Sequence, residues 1–159
     1  MHNKSSIRKF YRRSADLSGL PPGSLAQEEL KTVAVGQAQV ISVIEYGRDS
    51  VVEKKVSSFA GLSKSQDQNS VLWIDIEGIG DTKILEEAGK EFEIHPLTLE
   101  DILNNTQRPK CDEFDKYLFI TLKMLSLSNG QVEGEQLSII LTGNCVITFQ
   151  EKPGGDVFN

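Results

Sequence analysis

Two hydrophobic periods divide the chain into predicted strands and helices. The segment "AQVISVIEYG" (38–47) is rich in β-branched residues, and apolar and polar residues alternate at a period of two in "VLWIDIEGIG" (71–80), which predicts two strands. The second strand has one apolar face, whereas Trp73, Asp75 and Glu77 lie on its other face. Such a strand packs its apolar face against a core.

Apolar residues recur every three or four positions in two further segments, which predicts two helices. The first follows Asp81, a good N-cap residue, and the second begins at Pro96, where the missing N–H of proline costs nothing. A short helical piece is predicted near "VVEKKVSSFAGL" (51–62), and the polar run "SKSQDQNS" (63–70) is predicted to be a loop.

From Tyr117 onward the pattern changes to consecutive strands. The apolar runs "YLFITLKML", "QLSIIL" and "CVITFQ" are separated by an Asn129-Gly130 pair, a strong hairpin signal, and by a short "TGN". This order of elements predicts an α/β (α+β) fold: a mixed sheet flanked by helices on its faces, with a C-terminal antiparallel meander. The predicted core consists of alternating strand residues: Leu72, Ile74, Ile76, Leu118, Ile120, Ile139, Leu141 and Ile147.

Composition and charge limit the function classes. The chain of 159 residues is 38% hydrophobic and 25% charged, which is typical of one globular domain. Its apolar runs are much shorter than the ~20 residues of a membrane helix. Residues 1–13 hold five basic side chains and no acid, so we predict a basic flexible arm over 1–18 and a domain over 19–159. The remainder is strongly acidic, which argues against nucleic-acid binding and favours a divalent cation as partner.

Enzyme chemistry finds little support in the sequence. The two histidines are His2, in the arm, and His95, directly before the helix-starting proline, where a structural capping role is the simpler interpretation. Cys111 and Cys145 have no further cysteine or histidine at a zinc-ligand spacing, so two reduced thiols are expected. We therefore predict that the chain is not an enzyme; a freestanding metal-dependent enzyme is the distant alternative.

The second predicted helix carries two adjacent carboxylates, Glu100 and Asp101. At ~100° per residue, Glu100 lies beside the apolar stripe and Asp101 nearly opposite it, so Asp101 is predicted to be exposed. Leu97 also lies off the stripe, which indicates a contact outside the domain. Mg2+ takes oxygen ligands and needs only one or two carboxylates, so the pair is a candidate for half of a metal site. A solvated helix face is the alternative.

The segment "HPLTLEDILNNTQRPK" (95–110), followed by "DEFDKYLFITLKML" and "EGEQLSIILTGNCVITFQEKPGGDVF", resembles the cytoplasmic N-terminal domain of the CorA family of magnesium and cobalt transporters. The resemblance implies a protein at the cytoplasmic face of the cell membrane whose full-length form is a homopentamer. It also implies that the membrane is reached only through C-terminal stalk and transmembrane helices, which we expect to be absent from this chain.

The resemblance further implies roles for individual residues. The regulatory aspartate of the family corresponds to Asp101 and its neighbouring glutamate to Glu100. These residues would bind Mg2+, or Co2+ or another divalent cation, between protomers and favour the closed pore, with the partner carboxylate supplied by the stalk helix of the next subunit. Gln107, Arg108 and Pro109 belong to the same segment but are interpreted as structural. A related zinc-exporting branch of the same superfamily is the near alternative.

Overall fold

The computed structural model describes residues 39–64 and 69–154, so the predicted arm over 1–18 and the predicted start of the domain lie outside it. No helix within these two ranges is long and apolar enough to cross a membrane. The elements of the described residues follow in this order: β1 (Val40–Tyr46), β2 (Val51–Val56), a 3₁₀ helix (Leu62–Lys64), β3 (Val71–Glu77), α1 (Thr82–Glu91), α2 (Pro96–Leu103), β4 (Lys110–Glu113), β5 (Leu118–Ser128), β6 (Gln131–Thr142) and β7 (Cys145–Gln150).

The strands form one mixed sheet in the order β2-β1-β3-β7-β6-β5-β4. Strands β3 and β7 pair in parallel, and the other neighbours pair antiparallel. Asn129 and Gly130 close the β5–β6 hairpin with φ values of 52° and 74°, as a two-residue turn that follows the strand twist requires. The predicted fold class, with its mixed sheet and C-terminal antiparallel meander, is confirmed.

One face of the sheet carries the core. The register places Val43, Ile74, Ile147, Ile140 and Phe119 side by side across five strands, and all five are fully buried. Both described helices pack on this same face, because their buried side chains belong to the same cluster. These helical core residues are Leu85, Ala88, Leu99 and Ile102.

In strands β5 and β6, the side chains that face the core are not the ones predicted but those on the opposite face of each strand. Phe119 and Ile140 are fully buried, whereas Leu141, predicted to be in the core, is 42% exposed. These strands are apolar at consecutive positions, so alternation alone does not decide which face the helices cover. The predicted core residues of β3 and β7 are confirmed as buried: Leu72, Ile74, Ile76 and Ile147. The other predicted core residues are only half-buried, on the opposite face of the sheet: Leu118, Ile120 and Ile139.

Residues 51–56 form the edge strand β2, so the prediction of a helical piece there was wrong. This strand pairs with β1 along its whole length, from Val51 opposite Tyr46 to Val56 opposite Ile41. Val56 is half-buried and all the other side chains of β2 are exposed, so no buried face marks its period in the sequence. The free edge of β1 therefore decides the conformation, and the lysines of β2 are typical of a protected sheet edge.

Candidate functional site

Helix α2 carries the predicted carboxylates, and polar contacts fix where it begins. His95 is its N-cap: the ring Nδ1 accepts a hydrogen bond from the N–H of Leu97 at 3.2 Å, which confirms the structural interpretation of this histidine. The Tyr117 hydroxyl accepts a hydrogen bond from the N–H of His95 at 3.1 Å and lies 2.8 Å from Thr98 Oγ1. Phe114 stacks on the Tyr117 ring at 4.6 Å. The first turn of α2 is thus attached to Tyr117, directly before β5.

The other end of α2 is held from the sheet below it. The buried Gln136 on β6 donates from Nε2 to the carbonyl oxygens of Asp101 and Ile102, at 3.2 and 3.3 Å. Lys123 Nζ donates to the carbonyl oxygen of Asn105 and lies 3.3 Å from Gln136 Oε1. These donors satisfy carbonyl groups that the end of a helix leaves without partners. The backbone of Asp101 is therefore fixed against β5 and β6.

Helix α1 limits how α2 can move. A Cβ atom built on Gly89 of α1 would lie 2.7 Å from Leu99 Cδ1 of α2, closer than real Cβ contacts come. An alanine at position 89 would therefore require the Leu99 side chain to shift. Leu99 itself is buried, two positions before Asp101.

The Asp101 side chain takes part in a polar network with the segment that follows α2. Its Oδ1 accepts a hydrogen bond from Gln107 Nε2 at 2.6 Å, and its Oδ2 accepts one from Lys110 Nζ at 2.7 Å. The side chain is 28% exposed and the residue is half-buried, so the prediction of an exposed Asp101 was wrong. The cause is the return of the chain across α2, which a helical wheel does not contain. Gln107 has the structural role predicted for it, whereas Arg108 is exposed.

Lys110 connects Asp101 to the edge of the sheet. Its Nζ lies 2.7 Å from Asp101 Oδ2, 2.7 Å from Asp112 Oδ2 and 5.4 Å from the centroid of the Phe119 ring. Burial lowers the pKa of Lys110, but the bonds to Asp101 and Asp112 outweigh burial, so its pKa is raised and the ammonium stays charged at neutral pH. Sequence reasoning missed Lys110 and Asp112. Lys110 and Asp112 are two positions apart, so both side chains lie on one face of a strand. This spacing is the sequence signal from which their pairing could have been predicted.

The two carboxylate oxygens of Asp101 are suitable ligands for one side of a hydrated divalent cation. A carboxylate has about four lone-pair sites, so the bonds from Gln107 and Lys110 leave acceptor capacity on both oxygens. Mg2+ keeps several waters and is usually held by one or two carboxylates. Glu100 is half-buried and takes part in a contact of its own. Within residues 39–64 and 69–154, no three His, Cys, Asp or Glu side chains form a group that could hold a metal ion.

A second carboxylate is buried on the opposite face of the sheet. Asp75 on β3 accepts hydrogen bonds from the Thr148 hydroxyl at 2.5 Å and from Gln150 Nε2 at 2.8 Å, both on β7. Trp73 Nε1 donates to the same Thr148 oxygen at 3.0 Å. Burial raises the pKa of Asp75, the bonds from Thr148 and Gln150 lower it in part, and the charge of Glu77 adds a smaller increase. This network joins the two parallel strands.

Comparisons with known proteins point to one family. A family model described as CorA-like Mg2+ transporter protein matches residues 68–157. The chain is 41% identical over 150 residues to the cobalt/magnesium transport protein CorA of Thermotoga maritima, an alignment that covers 93% of this chain and 41% of that protein. The chain therefore spans less than half the length of this relative.

Two solved structures show the same fold. The complete CorA magnesium transporter of Methanocaldococcus jannaschii superposes with a TM-score of 0.51 at 20% identity, over 69% of this chain and 32% of that one. The ZntB cytoplasmic domain of Vibrio parahaemolyticus superposes with a TM-score of 0.54 at 10% identity, over 74% of this chain and 46% of that one. At these identities the likeness describes the fold alone.

Proposed function

The chain belongs to the CorA-like Mg2+ transporter family, and from that premise we propose that it is the cytoplasmic Mg2+-sensing regulatory domain of a CorA-like divalent cation transporter. Mg2+ binds between adjacent protomers of a homopentamer at the cytoplasmic face of the cell membrane, and the bound ion favours the closed pore. The observation that carries the proposal is the Asp101 carboxylate, which lies at the surface of α2, in the segment that resembles the family, with acceptor capacity left.

The contacts around Asp101 support a sensing role because they hold the carboxylate in place. Gln136 bonds the backbone of Asp101 from below, and Gln107 bonds its side chain from the following loop. A ligand with a fixed position loses little freedom when a cation binds. The remaining protein ligand comes from the neighbouring protomer, so the complete site exists only in the arrangement that brings the two protomers together. A site of this kind has different affinities in the two states, as coupling to a gate requires.

Electrostatic repulsion gives the cation its effect on assembly. The chain carries 17 basic and 23 acidic residues, which gives a formal net charge of -6 at neutral pH. Acidic domains packed in a ring repel one another, and a bound Mg2+ between them offsets this repulsion. Loss of the ion therefore loosens the ring and favours the open pore.

The zinc-exporting branch remains the alternative to a magnesium and cobalt transporter. Both branches share the fold, so a superposition does not separate them. The 41% identity to a cobalt/magnesium transport protein supports the magnesium branch. In either case the family is one of transporters and is not an enzyme family, and Glu100 and Asp101 act as ligands without a catalytic role.

The substitution Asp101→Asn in the full-length transporter tests the proposal. It removes one charged ligand and keeps the shape of the side chain, so the internal Mg2+ concentration that half-closes the pore should rise on the order of tenfold. Glu100→Gln should shift this concentration in the same direction by less. The measurement is Mg2+ flux into liposomes with the cation varied on the side of this domain.

Asp115→Asn is the matched control, because Asp115 is an exposed acid outside the network around Asp101. It should leave the half-closing concentration unchanged. If Asp101→Asn abolishes flux while the pentamer stays intact, a role in permeation replaces the sensing role. If neither carboxylate variant changes the Mg2+ dependence, the pair is a solvated helix face.

A further inference from the structure

We propose that Lys110 is a built-in competitor for the cation site at Asp101, so that a divalent cation binds there by displacing the lysine ammonium. This inference rests on the proposed function, because it concerns the regulation of the same site. Lys110 would then set the divalent cation concentration at which the site fills, and it would keep monovalent cations from binding there.

The position of the ammonium is the first argument. Lys110 is the first residue of the edge strand β4. Its side chain lies on the face of the sheet that α2 covers. Its Nζ is 2.7 Å from Asp101 Oδ2, the distance of a charge-assisted hydrogen bond. The ammonium thus takes up part of the acceptor capacity of one of the two oxygens that a metal ion would use. A cation that approaches this carboxylate must share it with Lys110 or replace Lys110.

Asp112 and Phe119 supply a second place for the ammonium. Asp112 Oδ2 lies 2.7 Å from the same Nζ, and the Phe119 ring centroid lies 5.4 Å away. Lys110 can therefore release Asp101 and still keep one carboxylate and one aromatic face as partners. Displacing the ammonium from Asp101 therefore costs one ion pair, and the ammonium stays paired with Asp112.

The local charge decides which cations succeed. Lys110, Asp101 and Asp112 together carry a net charge of one negative unit, and without the lysine the two carboxylates would carry two. A potassium ion carries the same unit charge as the Lys110 ammonium, which is tethered beside Asp101 at a high effective concentration. Replacing the ammonium by potassium therefore brings no gain in binding free energy. Mg2+ brings twice the charge to the same oxygen and can outcompete the lysine. The site then responds to divalent cations against the potassium background of a cell.

The test compares Lys110→Met and Lys110→Gln in the full-length transporter with the wild type. Both variants remove the charge; methionine keeps the apolar stem over Phe119, and glutamine keeps a hydrogen-bond donor. The readout is the Mg2+ concentration that gives half of the maximal rise in melting temperature of the detergent-solubilised protein, which reports binding independently of flux. Both variants should bind Mg2+ about tenfold more tightly than the wild type, and added potassium should weaken their Mg2+ binding more than that of the wild type.

Two controls separate competition from general charge effects. Lys110→Arg keeps the charge, so its Mg2+ midpoint should lie closer to that of the wild type than the midpoints of the two uncharged variants do. Lys116→Met removes one positive charge from an exposed ion pair with Glu93, and it should leave the Mg2+ midpoint unchanged. Midpoints equal to or higher than that of the wild type in both uncharged Lys110 variants would overturn the inference.

Asp101→Asn, measured in the same series, separates failure of the inference from failure of the proposed function. If this variant weakens Mg2+ binding and the uncharged Lys110 variants do not strengthen it, the sensor proposal stands and the competitor role of Lys110 is rejected. If Asp101→Asn also leaves the midpoint unchanged, the cation does not bind at Asp101 and both proposals are rejected.

Discussion

Truncation of Ile140 tests the arrangement of the sheet beneath the site. Its side chain is fully buried, between Phe119 on β5 and Ile147 on β7 in the register of the sheet. The next residue, Leu141, contains the same number of carbon atoms but is 42% exposed on the other face. Replacing each by alanine therefore removes equal volume from opposite faces of one strand.

The expected magnitudes follow from burial. Ile140→Ala loses roughly 2.5 kcal/mol of transfer free energy at ~0.8 kcal/mol per buried CH2 group, and the cavity left in the core raises the total to about 3–4 kcal/mol. Leu141→Ala loses about half of the transfer term and leaves no closed cavity, so its cost should be about 1 kcal/mol. The difference of roughly 2–3 kcal/mol between the two variants is far larger than the error of a good measurement.

The assay is urea unfolding of the 159-residue chain, followed by the fluorescence of Trp73. Both variants should keep the slope of the wild type, so that a shift in midpoint reports stability. An equal or larger loss for Leu141→Ala would refute the reasoning, because it would mean that Leu141 and its neighbours on that face form the core.

Two further substitutions test other parts of the structure. Gly89→Ala gains about 1 kcal/mol of helix propensity, but its Cβ would lie 2.7 Å from Leu99 Cδ1, so the buried Leu99 side chain must shift at a cost of about 1–3 kcal/mol. Urea unfolding should show a net loss, and a stabilised variant would contradict the close contact between α1 and α2. Burial raises the pKa of Asp75, so the folded state binds its proton more readily than the unfolded state, and its contribution to stability falls as pH rises from 3.8 through the raised pKa. Asp75→Asn removes this slope: the unfolding free energy of the variant minus that of the wild type should increase as pH rises from 3.8 through the raised pKa, and a difference that is flat with pH would contradict the shift.

Local chemistry was sufficient to predict several features from the sequence. Asp81 caps α1 by accepting a hydrogen bond from the N–H of Lys83 at 2.9 Å, and Pro96 begins α2 as predicted. The Asn129-Gly130 turn sets the β5–β6 hairpin. Each of these depends on residues within a few positions of one another, so the sequence contains all of the relevant information.

Features that depend on distant partners could not be read in the same way. The inward faces of β5 and β6 depend on which side α1 and α2 cover, since these strands offer apolar residues to both sides. The segment 51–56 becomes a strand because β1 provides a pairing edge. In the candidate site, Asp101 was found from the segment 95–110, whereas its bond to Lys110 requires the pairing of β4 with β5 beneath α2. Tertiary contacts decide each of these outcomes.

The parallel pairing of β3 with β7 has a consequence for synthesis of the chain on the ribosome. Strand β3 emerges before α1, α2 and β4 to β6, so the edge that receives β7 stays open until these elements and β7 itself have been made. At ~5–20 residues per second this takes several seconds, during which an apolar strand edge can pair with other nascent chains. Asp75 lies in the middle of that strand and meets Thr148 and Gln150 only when β7 arrives. Until then its carboxylate is a charge that discourages intermolecular pairing, and afterwards it becomes the polar junction between β3 and β7.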